Sequence, residues 1–306
     1  CSKIFLLSSS FSTFSLIIIR PLIQGLSALA FNLNLTGFAS GSIYTGPLKG
    51  VCVPVLNCYS CPGAVGACPI GALQSSFAAI GGKLAYYVLG MLLLFAITLG
   101  RFFCGWLCPF GAAQGLLHKA PVKKLKIPKR IDAPLRCLKY AALFVLVIGL
   151  PLLARNGVNM SSPYFCKWIC PAGTLEGGVP LALANSSVRG ALGGQFAWKL
   201  SLSVAILALC FFIYRPFCKY LCPLGAFYGM FAKLSLYRYT VDASACTHCG
   251  ACAQVCKMGV DPAREPNSGE CIRCGDCKRI CPTGALKTRA CFGCEKRNLT
   301  QKGGNE

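Results

Sequence analysis

The chain has 306 residues, of which 55% are hydrophobic and only 13% are charged, against about a quarter in an ordinary soluble domain. This composition excludes a soluble globular domain and requires a membrane. Basic residues outnumber acidic ones by 31 to 9, but they cluster in loops beside apolar segments, which indicates membrane topology rather than a nucleic-acid partner.

Apolar segments recur along residues 20–238, which we predict to form a membrane domain. A helix needs about 20 apolar residues to cross a bilayer. The stretch before Arg20 and Pro21 is too short for this, so residues 1–19 stay unassigned. The four predicted spans are residues 21–38, 84–100, 138–154 and 198–214.

The loop of residues 101–136 is rich in lysine and arginine, which predicts a cytoplasmic position. With four spans, both chain termini lie on the same side as this loop. We therefore predict a multi-pass protein of the cell (cytoplasmic) membrane whose C-terminal region is cytoplasmic. The loops of residues 39–82 and 155–197 then face outward.

Cysteine–proline motifs follow the spans and divide the membrane domain into two similar halves. The pattern R-x-F-C-x3-C-P-x-G-A occurs after both the second and the fourth span, and looser versions lie in the outward loops. Each face then has four thiols, the number that one [4Fe–4S] cluster needs. The inner-face set is Cys104, Cys108, Cys218 and Cys222, and the outer-face set is Cys58, Cys61, Cys166 and Cys170, with Cys52 and Cys68 as competing ligands.

In the C-x3-C-P motifs the two cysteines are spaced i, i+4, which predicts that both lie on one face of a helix. Two such pairs can hold a cluster from opposite sides. The alternatives are redox-active disulfides or cysteines that only fill space. Iron content separates them: about eight iron atoms per chain leave the membrane cysteines empty, whereas about twelve to sixteen fill them.

The C-terminal region, residues 239–286, contains two runs with C-x2-C-x2-C-x3-C spacing. This spacing predicts an α+β, bacterial-type ferredoxin domain with two [4Fe–4S] clusters, in which the fourth cysteine of each run reaches the other cluster. A zinc module is the alternative, and Lys257 stands where proline usually follows the first run. We assign one cluster to Cys246, Cys249, Cys252 and Cys281, and the second to Cys271, Cys274, Cys277 and Cys256.

Few other residues offer cofactor chemistry. His118 and His248 are the only histidines and lie outside the predicted spans, so a haem held by paired histidines is excluded. No aspartate or glutamate lies inside a predicted span, which argues against an ion pump. No catalytic residues are assigned. Residues 287–306 are predicted to form a polar tail, in which Cys291 and Cys294 have no obvious partners.

These motifs resemble those of the membrane-bound polyferredoxins of the NapH/NosR type, a family of 4Fe-4S binding proteins. The resemblance covers roughly residues 20–285 and rests on the two inner C-x3-C-P pairs and the eight ferredoxin cysteines. It implies electron transfer between membrane quinol and a redox partner protein, with quinone as a further candidate cofactor. The chain departs from the family in its Cys166/Cys170 pair and in the Cys58, Cys61 and Cys68 group.

We therefore predict a membrane-bound iron–sulfur electron-transfer subunit rather than a stand-alone enzyme. It would link a quinone pool or a membrane partner to a cytoplasmic redox partner. Two alternatives stay open: an iron–sulfur redox sensor or assembly factor, and a thiol–disulfide oxidoreductase that uses the Cys-Pro pairs. Because the apolar core of a bilayer is about 30 Å thick, clusters at its two faces would leave a long gap between them.

Overall fold

The apolar part of the chain contains two long apolar helices and two shorter ones. The computed structural model describes residues 19–79, 84–125 and 127–290. By length and composition, Arg130–Leu153 and Gly194–Phe212 are long and apolar enough to cross a membrane. Only 28% and 17% of their apolar windows are buried, so most of these side chains face outward. Two shorter apolar helices, Ile19–Phe31 and Tyr86–Thr98, lie in the other two predicted regions.

The structure thus confirms two helices of spanning length and does not confirm four. Tyr86–Thr98 has 13 residues, which is about 20 Å of helix at 1.5 Å per residue. It ends before Gly100, whose φ of 53° turns the chain into the first inner Cys-Pro motif. The third predicted span begins earlier than expected, at Arg130.

Buried charge anchors the start of the helix Arg130–Leu153. Asp132 accepts a hydrogen bond from the Tyr220 hydroxyl at 2.6 Å and forms ion pairs with Lys219, also at 2.6 Å, and with Arg136. These partners satisfy the carboxylate, so the polar first turn continues directly into the apolar helix. The middle of the helix, Ala142–Gly149, is π-helical, just before a proline that lacks the N–H for a regular turn.

Each inner Cys-Pro motif divides a helix in two. The helix Phe102–Trp106 ends before Cys108, and Pro109–Leu117 begins after it. A proline disfavours the helical conformation in the residue before it, and Cys108 is indeed extended, with φ −67° and ψ 116°. The second inner motif repeats this with Pro216–Tyr220 and Pro223–Met230. The prediction that each cysteine pair lies on one helix face is therefore wrong.

The remaining helices of this part are short, and one of them follows Cys68 in the same way, with a proline in its first turn. Together they form the end of the molecule that carries the outer cysteines. They are Thr36–Ser40, Pro47–Gly50, Pro69–Ala78, Tyr164–Trp168, Gly173–Gly178, Val179–Ala184 and Ser186–Gly190.

The C-terminal region has the predicted α+β ferredoxin-type fold. Strand β1, Tyr237–Val241, pairs antiparallel with strand β2, Leu286–Ala290, and so joins the two ends of the region. One short helix lies inside each cysteine run and carries its third cysteine: Ala251–Val255 in the first run and Asp276–Ile280 in the second. Strand β2 continues beyond the predicted boundary at residue 286. Residues 287–290 of the predicted polar tail are thus in strand β2, whereas residues 1–18 and 291–306, with Cys291 and Cys294, lie outside the described residues.

The ferredoxin region packs firmly against the membrane part. Glu270 forms ion pairs with Arg101, at 3.1 Å, and with Lys139, and both cations are fully buried. Arg273, with φ 52°, donates to the carbonyl of Leu99 at 2.6 Å. Because these contacts lie beside the inner Cys-Pro motifs, they fix the ferredoxin cysteines relative to the inner ones.

Candidate metal centres

The four predicted inner-face cysteines surround one enclosed pocket. Two of them lie on the short helices and the other two are the extended residues before proline. Each is only 5 to 8% exposed. The lining consists of Cys104, Cys108, Cys218 and Cys222 with Val55, Leu56, Arg101, Leu224 and Gly225. The structure thus brings this predicted set together in a largely apolar setting.

Two arginines exchange hydrogen bonds between the inner motifs. Arg101 donates to the carbonyl of Cys218 at 3.1 Å, and Arg215 donates to the carbonyl of Cys104 at 2.6 Å. The Nε atoms of both arginines are buried and have no partner among the described residues. Since Arg101 lines the pocket, a sulfide or thiolate acceptor inside the pocket would satisfy its free donor. This arrangement fits an iron–sulfur cluster.

Three further donors point directly at inner sulfur atoms. They are Gly111 N to Cys108 Sγ (3.3 Å), Gly225 N to Cys222 Sγ (3.4 Å) and Gln114 Nε2 to Cys218 Sγ (3.1 Å). Hydrogen bonds of this kind stabilise the thiolate form, which is the form that binds metal. The glycine in each motif also leaves room for the arginine: a Cβ on Gly111 would lie 3.1 Å from Arg215 Nη1.

The outer pocket is also lined by four cysteines, but they are not the predicted four. They are Cys58, Cys68, Cys166 and Cys170. Cys61 lies elsewhere, with its thiol 3.6 Å from Asn32 Oδ1. The competing Cys52 instead forms a backbone bridge with Ala67. The structure therefore departs from the predicted outer set at one position, where Cys68 takes the place of Cys61.

A signal for Cys68 is present in the sequence. Its Cys-Pro motif has glycine three positions after the cysteine, as the inner motifs do, whereas Cys61-Pro62 has glycine two positions after it. The third-position glycine carries the N–H that caps sulfur in both inner motifs. The spacing of the glycine therefore identifies which Cys-Pro pair has the geometry of a ligand.

A polar residue stands six positions after each pocket-lining Cys-Pro cysteine, a pattern not predicted from the sequence. These residues are Gln74, Gln114, Glu176 and Tyr228. Three of them contact the first cysteine of the opposite motif: Gln74 Oε1 accepts from Cys166 N (3.5 Å), Gln114 Nε2 donates to Cys218 Sγ (3.1 Å), and Glu176 Oε2 accepts from Cys58 N (3.0 Å). Burial raises the pKa of Glu176 to about 7, against the opposing effect of the Cys58 N–H. These contacts link the two outer motifs to each other and the two inner motifs to each other.

The two pockets are neighbours. Leu56 lines both of them. Tyr228, which is fully buried, packs its ring against Phe103 and donates its hydroxyl proton to the carbonyl of Pro54, at 3.1 Å. The loop of residues 53–56 thus forms a thin wall between the two groups of thiols, so the long gap expected between them is not present.

The second group of ferredoxin cysteines is close together. Burial raises the pKa of Cys277, and together with the smaller effects of the nearby thiols Cys271, Cys274 and Cys256 it brings that pKa to about 12. Buried thiols this close ionise together only when a metal centre compensates their charge. Cys256 Sγ also accepts a backbone hydrogen bond from Val260 N at 3.4 Å.

The two ferredoxin runs share a backbone turn. His248 and Arg273, each two residues after the first cysteine of its run, have φ 52°, and Gly250 and Gly275 also have positive φ. Left-handed residues turn successive N–H groups towards an anionic ligand. In the first group, Cys252 and Cys281 pack against the buried Tyr239, Cys277 and Leu286, whereas Cys249 is exposed.

The described cysteines are all free thiols. Within the described ranges, no group of three or more His, Cys, Asp or Glu side chains is arranged to hold a single metal ion. A structural zinc ion is held by four ligand atoms at about 2.0–2.3 Å. A four-iron cluster binds each thiolate to a different iron and suits more widely separated sulfurs.

Two families, each described as a 4Fe-4S binding domain, match the chain. One matches residues 82–128, 141–179 and 196–238, and the other matches residues 239–260 and 265–287. Together the matches cover more than half of the chain and include both inner Cys-Pro pairs, the Cys166/Cys170 pair and all eight ferredoxin cysteines.

Several curated proteins are similar to this chain. Methylamine utilization ferredoxin-type protein MauN of Methylorubrum extorquens is 28% identical over 71% of this chain and 70% of its own length. Protein NirI of Paracoccus denitrificans is 31% identical over 55% of this chain and 23% of its own length, and regulatory protein NosR of Pseudomonas aeruginosa is 29% identical over 51% and 20%. The chain spans 56% and 64% of the length of relatives from Escherichia coli and Methanocaldococcus jannaschii.

No solved structure matches the chain. The family matches and the cysteine geometry agree on the same parts of the molecule, because both family matches fall on cysteine groups that the fold gathers. The chain therefore belongs to the 4Fe-4S binding domain family, with one match across its apolar part and another across its ferredoxin-type C-terminal domain.

Proposed function

We propose that this chain is a membrane-embedded electron-transfer protein that holds four [4Fe–4S] clusters. Two are held by the ferredoxin cysteines in the groups predicted above. The other two are held by the cysteines that line the inner and the outer pocket. A bound [4Fe–4S] cluster supplies one-electron transfer. The observation that carries the proposal is that two four-thiol pockets share one lining residue, Leu56.

The contacts between the sites support a continuous path. From the outer pocket, the wall at Leu56 leads to the inner pocket. From there, the helix that carries Cys104 packs on the second ferredoxin run, because Trp106 Nε1 donates to the Arg273 carbonyl at 3.1 Å. A Cβ added at Gly105 would collide with the carbonyl of Ile272. The second ferredoxin group therefore lies next to the inner pocket.

The outer surface supports a membrane position. Leu22, Leu26 and Leu29 form a stripe along the first helix and are 57 to 58% exposed. Phe144 and Val145 on Arg130–Leu153 are 52 and 53% exposed. Apolar patches of this kind are unfavourable in water and favourable against lipid. The basic loop before Arg130 favours a cytoplasmic position for the ferredoxin side.

A cytoplasmic redox protein is the proposed partner at the ferredoxin end, and a membrane quinone is the proposed carrier on the lipid side. Reduction of the purified protein by a water-soluble quinol, followed by EPR, tests the quinone. Cluster signals that appear with quinol and disappear with quinone support this link. No spectral change over a range of quinol potentials rules it out.

Iron content tests the number of clusters. We expect about sixteen iron atoms per chain in protein purified without oxygen. Cys68→Ser and Cys104→Ser should each remove about four, because each variant removes one ligand of a different pocket. Cys61→Ser is the matched control, since Cys61 is as buried as Cys68 but does not line the outer pocket.

Three outcomes contradict the proposal. Iron near eight in the unchanged protein means that the pockets hold no clusters. Equal iron loss in the Cys61 and Cys68 variants contradicts the assignment of Cys68. A reversible disulfide between Cys104 and Cys108 in active protein, trapped with a thiol reagent, indicates the thiol–disulfide alternative instead.

A further inference from the structure

The outer pocket is open to its surroundings, whereas the inner pocket is closed. All four inner thiols are buried, but Cys58 and Cys166 of the outer pocket are partly exposed. The outer pocket has a cavity volume of about 270 Å³, against about 10 Å³ for the inner one. Of the two pockets, the outer one therefore offers the contact with the molecule's surroundings.

Two lysines line this opening. Lys167 and Lys199 are both part of the outer pocket lining. Lys199 Nζ would lie 3.7 Å from a Cβ on Gly173, just beyond Cys170. The ion pairs among the described residues all involve other side chains, so neither lysine is neutralised there. Uncompensated cations around a cleft attract anionic partners and raise their association rates.

The two segments that carry the outer-pocket cysteines are cationic as well. Residues 39–79 and 154–199 contain a single acidic residue, Glu176. Its carboxylate accepts the backbone hydrogen bond from Cys58 at 3.0 Å, so it points inward and does not neutralise the rim. Lys49, Arg155 and Arg189 add further positive charge to this end.

Aromatic side chains accompany the lysines. Trp168 and Trp198 are 43% and 53% exposed, and the indole N–H of Trp198 donates to the carbonyl of Trp168 at 3.2 Å. At protein–protein interfaces, aromatic anchors such as tryptophan supply affinity and charged groups at the rim steer the encounter.

We propose that the rim formed by Lys167, Lys199, Trp168 and Trp198 is the docking surface for an acidic redox protein, which exchanges electrons with the outer site. This inference rests on the proposed function, since it requires a redox centre in the outer pocket. Anionic lipid would also be attracted to lysine. The redox partner is favoured because both lysines line the thiol pocket itself.

Two small oxidants of opposite charge test the charge of this surface. The reduced protein is placed in sealed proteoliposomes, where it inserts in two orientations: one exposes the outer-pocket end to the external solution and the other exposes the ferredoxin end. Neither ferricyanide nor hexaammineruthenium(III) crosses the bilayer, so each oxidant reaches only the end that faces outward. Each reaction moves one electron from the protein to the oxidant. The double variant Lys167→Glu, Lys199→Glu should slow ferricyanide oxidation about tenfold in the orientation that exposes the outer pocket. In the same orientation it should speed the ruthenium reaction and reverse the salt dependence of both rates.

The control is the double variant Lys278→Glu, Lys287→Glu on the exposed face of the ferredoxin domain. It should change the oxidation rates only in the orientation that exposes the ferredoxin end. Lys167→Gln with Lys199→Gln gives a smaller change of the same sign and covers the case in which the glutamate variant misfolds. Unchanged rates in both lysine variants overturn the proposal. Unchanged rates with weaker insertion into phosphatidylglycerol bilayers mean that lipid covers the rim.

The failure of the docking proposal is distinguishable from failure of the proposed function. If metal analysis finds about sixteen iron atoms per chain and the Cys170→Ser variant loses about four, the outer cluster is present, whatever the oxidant rates are. Iron that does not fall in Cys170→Ser removes the outer cluster, and the docking proposal fails with it.

Discussion

At the scale of single residues, Arg101 and Arg215 connect the two inner motifs. Each belongs to one motif and binds the carbonyl of the first cysteine of the other, at 3.1 and 2.6 Å. A guanidinium carries five donors in a rigid planar fork, so one arginine can hold a carbonyl and still direct an N–H at another acceptor. Its charge also offsets the negative charge of nearby thiolates.

Arg215→Lys tests whether the fork, rather than the charge, is needed. We expect the variant to lose about four iron atoms per chain, because a lysine lacks the planar fork that holds the carbonyl of the pocket-lining Cys104. Metal analysis and EPR measure the loss. Arg155→Lys, which alters an arginine bound to the Phe77 carbonyl away from both pockets, should keep its iron. Full iron content in the Arg215 variant would contradict the role of the fork.

Gln114→Leu removes the side-chain hydrogen bond to Cys218 Sγ. A hydrogen bond to a ligand sulfur stabilises the more negative, reduced form, so its loss should lower the reduction potential of the inner site. An EPR-monitored redox titration measures the shift. Gln24→Leu removes an equally buried amide that donates instead to the Gly105 carbonyl, at 2.8 Å. Equal shifts in both variants would show that the sulfur hydrogen bond is not the cause.

At the scale of elements, the Cys-Pro break determines where the inner thiols lie. Proline at the start of Pro109–Leu117 keeps Cys108 extended. The Cys108 sulfur then accepts the N–H of Gly111, which is one of the N–H groups left free in the first turn of a helix. The same element therefore ends one helix, begins the next and orients a pocket-lining thiol.

Gly111→Ala tests this packing. The added methyl would lie 3.1 Å from Arg215 Nη1 and 3.2 Å from the Cys104 carbonyl, and we expect a cost of about 1–3 kcal/mol in stability, with loss of inner iron. Gly115→Ala, in the same helix, meets Arg215 only at 3.8 Å and should be neutral or stabilising by about 0.5–1 kcal/mol. Thermal unfolding distinguishes them, and equal melting temperatures would contradict the close-contact argument.

At the scale of the whole molecule, one buried carboxylate holds the ferredoxin domain against the membrane part. Burial alone would raise the pKa of Glu270, but Arg101 and Lys139 outweigh it and lower that pKa, so the group is charged at neutral pH. Arg101 also reaches the carbonyl of Cys218. The residue that shapes the inner pocket therefore also anchors the domain.

Glu270→Gln leaves two buried cations without their counter-charge, and we expect the folded state to lose about 3–5 kcal/mol. Hydrogen exchange of the segment around Glu270 and thermal unfolding measure the loss of docking. Asp242→Asn removes an exposed ion pair with Lys287 and should leave the melting temperature nearly unchanged. A Glu270 variant as stable as the Asp242 control would mean that the domain is held by other contacts.

Local spacing predicts the parts of this protein whose chemistry lies within a short stretch of chain. The two ferredoxin runs, their α+β fold and the inner Cys-Pro pairs follow from spacing, because three predicted ligands of each ferredoxin cluster lie within seven residues. Apolar composition likewise indicates helices with outward-facing side chains, of which two are long enough to span a membrane. These features need no knowledge of distant contacts.

Only the tertiary structure decides how distant motifs meet. Three features join residues far apart in the chain: the shared pocket of Cys68 with Cys166 and Cys170, the crossed contacts of Arg101 and Arg215, and the shared wall at Leu56. Spacing fixes the direction of a side chain only relative to its own helix. The partner of that helix depends on packing and on the burial of paired charges, which the assembled fold alone supplies.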